Sequence, residues 1–343
     1  MDFVIGLAII AIGSFGQSSS YVPINKVKNW SWESFWLTQG IFAWLVFPLL
    51  GALLAVPTGH SLGEILISGG SAAMWKTIGY GVLWGIGGLT FGLSMRYLGI
   101  ALGQSIALGT CSAFGTIIPA LMEGTDLFHG KGLILLIAVS IALAGIAIIG
   151  YAGSLRAKNM SEEERKAAIK DFALGKGLLV ALLAGVMSAC FSLGLAAGQP
   201  IADAAATLGA TALFVTLPAT LLVTLGGFTT NAAYCLYQNV KNKTITDYIS
   251  VPKNILVNNL LFCALAGGLW YSQFFGLGVG KSFFKEGTVI MVFSWSILMS
   301  LNVTFSNVWG IILKEWKGVG TKTWTVLIVG LLILIFSTFV INF

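Results

Sequence analysis

The chain reads as an all-α integral membrane protein of ten transmembrane helices, arranged as two inverted five-helix repeats. Three observations predict this. Only 9% of the 343 residues are charged and 57% are hydrophobic, with a mean hydropathy of +0.90, whereas a water-soluble globule carries about 25% charged residues. Stretches such as "GLILLIAVSIALAGIAIIGYAG" are apolar on every face over a bilayer-crossing length, while a barrel strand would alternate apolar and polar positions over about ten residues. The longest polar insert, "RAKNMSEEERKAAIKDFALGK", divides the apolar segments five and five. An odd number of helices per half places the halves in opposite orientations.

In order, the predicted spans are 3–20, 36–56, 73–95, 98–121 and 132–153, then 174–197, 209–236, 256–278, 288–313 and 323–341. The first lacks a basic leading region and a small-residue cleavage site, so it is expected to be a retained helix. Residues 1–153 form the first repeat, 154–173 a charged cytoplasmic linker and 174–343 the second repeat. Cys111, Cys190, Cys235 and Cys263 all fall inside spans without metal-ligand spacing, and read as reduced packing residues. Gly81-x-x-x-Gly85, Gly99-x-x-x-Gly103 and Gly276-x-x-x-Gly280 allow helix backbones to approach closely. In the third helix of each half, "GVLW" from Gly81 to Trp84 echoes "GGLW" from Gly267 to Trp270. If the repeat holds, the two tryptophans are related by an axis in the membrane plane.

Charge sets the orientation. Lys26, Lys28, Arg96, Arg156, Lys158, Arg165, Lys166, Lys170, Lys176, Lys241, Lys243, Lys253, Lys314, Lys317 and Lys322 share one side, fifteen of the nineteen basic residues. By the positive-inside rule that side is cytoplasmic, so both termini are expected outside the cytoplasm. Trp30, Trp32 and Trp36 then lie beside a basic loop, where an interfacial aromatic belt explains them.

The spans hold neutral polar residues (Gln17, Ser18, Ser19, Gln39, Gln104, Ser105, Ser192, Asn231, Gln273, Ser294, Ser296 and Asn302) together with the aromatic faces of Trp44, Trp84, Trp270, Tyr271 and Trp295. A neutral sugar needs this combination: groups that donate to and accept from its hydroxyls, and a ring against which its C–H face packs. "GGLWYSQFFG" concentrates Trp270, Tyr271 and Gln273 within one turn beside two glycines. No carboxylate lies at the expected midplane of a span, which counts against export of lipophilic cations. His60 and His129 fall in outer loops. There is no P-loop, no HExxH, no DDxxD-like acidic pair and no Cys/His cluster, so the chain is expected to be neither an enzyme nor dependent on a cofactor. The basic insert also carries Glu162, Glu163, Glu164 and Asp171, and reads as a solvated linker rather than a nucleic-acid surface.

Four separated motifs occur in order along nearly the whole chain: Tyr21-Val22-Pro23 followed by "KVKNWSWE", "MRYLGIALG" from Met95 to Gly103, "GGLWYSQFFG", and "LKEW" from Leu313 to Trp316. Together they resemble the L-rhamnose-proton symporter family of the drug/metabolite transporter superfamily. The resemblance implies a multi-pass protein of the bacterial inner membrane that imports the methyl-pentose L-rhamnose with a proton through an alternating-access cavity. It implies a cavity lined from both halves, which favours Trp84, Gln104, Trp270, Tyr271, Gln273, Ser294 and Asn302, with Gln17 from the first helix as a further candidate. Glu33 and Glu315 lie within the resembling motifs at cytoplasmic helix ends and are the proton-coupling candidates. Sodium coupling remains open, because hydroxyls and helix-end carbonyls coordinate that ion without a carboxylate. Export or exchange of another small metabolite on the same scaffold also remains open.

Overall fold

The computed structural model describes residues 2–98, 100–158, 174–314 and 316–340. These residues are helical or in turns, with no strand among them. The long helices follow the predicted spans: α1 Asp2–Ser19, the short α2 Tyr21–Ile24, α3 Trp32–Gly40, a π-helical turn Ile41–Val46, and α4 Phe47–Leu53. They continue through α5 Leu62–Ser68, α6 Ser71–Leu98, α7 Ile100–Met122, α8 Gly130–Lys158 and α9 Leu174–Ala197. The remainder is α10 Gln199–Thr207, α11 Leu217–Asn242, α12 Asp247–Ser250, α13 Lys253–Lys281, α14 Val289–Ile312 and α15 Thr321–Val340. Eight helical segments among the described residues are long and apolar enough to cross a membrane.

Three boundaries differ from expectation for identifiable reasons. The second span begins at Trp32 rather than 36, because Ser31 adopts extended backbone and its hydroxyl caps the helix by accepting from the Ser34 N–H. Pro218 near the helix start places the onset of α11 at Leu217, after a turn. The helix α8 continues to Lys158, into the first residues of the expected linker; the linker from 159 to 173 lies outside the described residues. The four cysteines are buried and free.

The chain forms two compact units, each drawing helices from both halves of the sequence. One comprises Met1–Gly85 and Gly194–Phe283, the other Ile86–Leu193 and Phe284–Phe343.

In the first unit, small residues permit close helix contact. A side chain at Gly276 would press on the Ile9 carbonyl and Gly13, and one at Gly280 on the Gly6 carbonyl and Ile10, so this predicted pair docks α13 on α1. Gly81 and Gly85 play the same part for α6 against α11, where Val223, Gly226, Gly227 and Thr230 approach them. The Thr230 hydroxyl donates to the Val82 carbonyl across that contact (3.0 Å). The helices α5 and α10 meet through Ile65 and Ile201 in a core that includes Ala73, Ala205 and Leu222.

In the second unit, Ala142, Ile146, Ile149 and Ala152 of α8 pack with Leu327 and Leu334 of α15 and with Val303 of α14. Gly145 and Gly330 let α8 and α15 approach, since a side chain at Gly330 would meet the Ile149 backbone nitrogen at 3.0 Å.

Candidate functional site

The first unit contains a run of aromatic rings. Trp32 stacks on Trp36 at 5.4 Å, Trp36 meets Trp44 edge-on at 5.8 Å, and Trp44 meets Trp84 at 6.1 Å and Trp270 at 5.7 Å. Trp84 and Trp270 face each other with centroids 5.8 Å apart and planes tilted by 36°. Phe274 closes the run against both. Such spacings are those of favourable ring pairs. The glycines around them have a direct purpose: a side chain at Gly227 would overlap the Trp84 ring, one at Gly40 would lie 2.6 Å from the Trp44 ring, and one at Gly51 would overlap the Tyr271 hydroxyl. The two tryptophans of the G-x-L-W echo are therefore in contact within a single unit.

Trp44 sits in the π-helical turn, where the Phe47 N–H donates to the Phe42 carbonyl five residues back. One additional residue in a turn rotates the rest of the helix by roughly 100°. The turn therefore resets the face that Trp44 and the residues after it present.

The predicted residues divide between the units. Gln17, Trp84, Trp270, Tyr271 and Gln273 belong to the first, while Gln104, Ser294 and Asn302 belong to the second. Gln17 accepts from the neighbouring Ser18 hydroxyl at 3.3 Å. The Gln273 amide donates to the Trp270 carbonyl of its own helix at 3.2 Å, and the Ser294 hydroxyl to the Met291 carbonyl at 2.7 Å. Asn302 is buried in α14. For Gln104 only its place in α7 is described. Tyr271 is buried, and its hydroxyl has no hydrogen-bond partner among the described residues.

Other polar residues of the spans are taken up by packing. Asn231 accepts from the Trp36 indole at 3.1 Å and donates to the Gly227 carbonyl at 2.9 Å. In the second unit, the Ser112 and Ser296 hydroxyls pair at 2.7 Å. The Ser192 hydroxyl donates to the Gly115 carbonyl at 2.6 Å, and the Trp295 indole donates to the Cys111 carbonyl at 3.2 Å.

Glu33 is only 6% exposed in the first turn of α3. One of its carboxylate oxygens accepts from Asn242 Nδ2 at 2.9 Å and from Thr244 Oγ1 at 2.7 Å. Among the described residues it has no ion-pair partner. The polar cluster extends through Asn239, whose amide donates to Ser34 and Thr244 and whose oxygen accepts from the Tyr248 hydroxyl. Glu315 lies outside the described residues.

The segment before α3 is held to this cluster. The Trp30 indole donates to the Asp247 carbonyl at 2.9 Å, the Ser31 N–H to the Asp247 carboxylate at 2.8 Å, and Asn259 exchanges two hydrogen bonds with the Lys28 backbone. Burial alone pushes the Asp247 carboxyl up, but hydrogen bonds from Ser31 and Ser34 outweigh it and hold the group below the ordinary aspartate value. Thus Trp30 is a clamp between distant parts of the chain. The belt explanation accounts better for Trp32, which is 51% exposed. His60 and His129 are exposed and lie against Glu64 and Asp126 at 3.0 and 2.8 Å.

The family model described as L-rhamnose-proton symport protein matches residues 1–343. A protein of Yersinia pestis (strain Pestoides F) named L-rhamnose-proton symporter is 34% identical over 344 residues, covering 99% of this chain and 97% of its own. A protein of the same name from Yersinia pseudotuberculosis serotype O:1b (strain IP 31758) matches to the same extent. On a match of this length and identity, the chain belongs to the L-rhamnose-proton symport protein family.

Proposed function

We propose that this protein imports L-rhamnose, or a closely related methyl-pentose, together with a proton across the bacterial inner membrane. The observation that carries the sugar is the Trp44–Trp84–Trp270 cluster, with ring separations of 5.7–6.1 Å in a setting of neutral polar side chains. Aromatic faces bind the C–H face of a pyranose, and neutral donors and acceptors bind its hydroxyls without demanding a counter-charge. Trp84, Trp270, Tyr271, Gln273 and Gln17 are the substrate-binding candidates of the first unit. Gln104, Ser294 and Asn302 are those of the second.

The scaffold proposed is ten spans in two inverted repeats, 1–153 and 174–343, with both termini outside the cytoplasm. Two features support the repeat. The fourth and fifth spans of both halves, α7, α8, α14 and α15, share one unit, and the second spans of both halves, α3–α4 and α11, share the other, although the first spans α1 and α9 fall mainly in different units and α6 is divided between the two. The G-x-L-W echo also becomes a matched pair. Gly81 rests on the second helix of the other half, α11, at Val223, and Gly267 rests on the second helix of its opposite half at Phe42 and Ala43.

For the proton, Glu33 is the favoured group. The Glu33 carboxylate is buried, has no ion-pair partner among the described residues, and is held ionised by the hydrogen bonds from Asn242 and Thr244, so a conformational change that breaks those two bonds would favour its protonation. One charge crossing 100 mV supplies about 2.3 kcal/mol, enough for accumulation on the order of fifty-fold. The test is accumulation of labelled sugar by reconstituted protein. Under an inward proton gradient, the wild type should concentrate L-rhamnose, and Glu33→Gln should only equilibrate it. Full accumulation by Glu33→Gln would remove that residue and transfer attention to Glu315. Accumulation that follows sodium alone would overturn proton coupling.

A further inference from the structure

Several buried side-chain polar atoms have no hydrogen-bond partner among the described residues, and two of them, Gln39 Oε1 and Trp44 Nε1, lie five residues apart on one helical segment that also carries a ring of the tryptophan cluster. Their side chains are 2% and 3% exposed. An orphaned buried donor or acceptor costs about 1–3 kcal/mol, and most such groups in a folded protein are satisfied. Gln39 lies just before the π-helical turn and Trp44 within it, on a segment that packs on α13. The Gln39 carbonyl is 3.1 Å from where a Gly267 side chain would start, and the Trp44 ring lies 5.7 Å from that of Trp270. Asn231, Ser112, Ser192, Ser296 and Trp295 have their hydrogen bonds met within the protein; Gln39 and Trp44 retain capacity.

We infer that Gln39 and Trp44 contact the transported sugar directly, Trp44 donating its indole N–H to one hydroxyl and Gln39 Oε1 accepting from another. The assignment rests on the sugar-import function proposed above and adds two residues to its site. One neutral donor on a ring that touches Trp84 and Trp270, and one neutral acceptor five residues before it in the same helical segment, complement a neutral polyol. A charged ligand would leave its charge without a partner there. The π-helical turn explains why these residues are available: it sets the register in which Trp44 reaches Trp270 rather than completing a hydrogen bond of its own.

The experiment is equilibrium binding to the purified full-length protein, using L-rhamnose and its single-position deoxy analogues. Trp44→Phe keeps a ring and removes the N–H; Gln39→Met keeps the length and removes the acceptor. Each variant should bind L-rhamnose about tenfold more weakly, which corresponds to roughly 1.4 kcal/mol. For each there should be one analogue, lacking the hydroxyl that group meets, that binds wild type and variant alike. Binding of L-rhamnose by both variants within twofold of wild type overturns the assignment, as does an equal loss for every analogue. Failure of both variants to fold shows a structural role and overturns it too. A wild type that binds no L-rhamnose overturns the import function itself, and this assignment with it; binding by the wild type with unchanged variants overturns the assignment alone.

Discussion

Trp44 and Trp295 are nearly equally buried, at 3% and 4% exposure, and each rests on a glycine, Gly40 and Gly115 respectively. Their indoles nevertheless have different fates. Trp295 stacks on Phe191 at 5.7 Å and donates its N–H to the Cys111 carbonyl, so both its face and its polar edge are satisfied inside the second unit. Trp44 has aromatic neighbours on several sides but, among the described residues, no acceptor for its N–H. The same residue in the same kind of glycine seat thus acts as a packing element in one unit and keeps a free donor in the other. A structural tryptophan differs from a ligand-facing one in the state of its polar edge, since burial is common to both.

The sharpest test of this contrast is Trp270→Ala, which removes a face from the cluster in the first unit. Uptake should fall at least a hundredfold while the protein still inserts and elutes as a folded species; unchanged transport would dissolve the site. Next in size, Glu33→Gln should lower proton-driven accumulation from the order of fifty-fold to near equality, with downhill entry retained. Trp295→Phe should behave oppositely to the tryptophans proposed to face the sugar. Loss of its hydrogen bond and stacking area should destabilise the protein by about 1–2 kcal/mol in thermal unfolding, with the sugar KM unaltered. A changed KM with unchanged stability would erase the distinction between the two indoles. The smallest effect belongs to the clamp before α3. The Asp247 carboxyl is held below its ordinary value, so it contributes stability that is present above the unfolded-state pKa and lost as pH falls through the folded one. Asp247→Asn should therefore lower stability by about 1 kcal/mol at neutral pH, and the difference from wild type should shrink below about pH 4. A difference independent of pH would deny the carboxylate that role.

Much of the fold was legible in composition and pattern. Charge scarcity and uninterrupted apolar runs identify a helical membrane protein, and the Gly276/Gly280 pair marks where α13 meets α1. The sequence echo of Gly81–Trp84 and Gly267–Trp270 was visible, but the contact between the Trp84 and Trp270 rings was not, since it depends on how two distant helices pack. The short helices Leu62–Ser68 and Gln199–Thr207 were not legible, because at seven and nine residues they are too brief to establish a periodicity. Nor was the π-helical turn, since nothing in "IFAWLV" distinguishes it from ordinary helix. Gln39 and Asn231 look alike in sequence, as buried amides in apolar spans. Only the fold shows that Asn231 is held by Trp36 and Gly227 while Gln39 Oε1 is not held. Glu33 could be singled out by its motif, but its partners Asn242 and Thr244 are 209 and 211 residues away, and no local pattern reports such distances.

Proton-driven sugar import is tested most directly by uptake of labelled L-rhamnose into proteoliposomes under an imposed inward proton gradient, repeated with a sodium gradient. Accumulation above equilibrium with the proton gradient alone, abolished when the gradient is collapsed, is the predicted result. Accumulation with sodium alone, or no L-rhamnose movement by folded protein under either gradient, would contradict it.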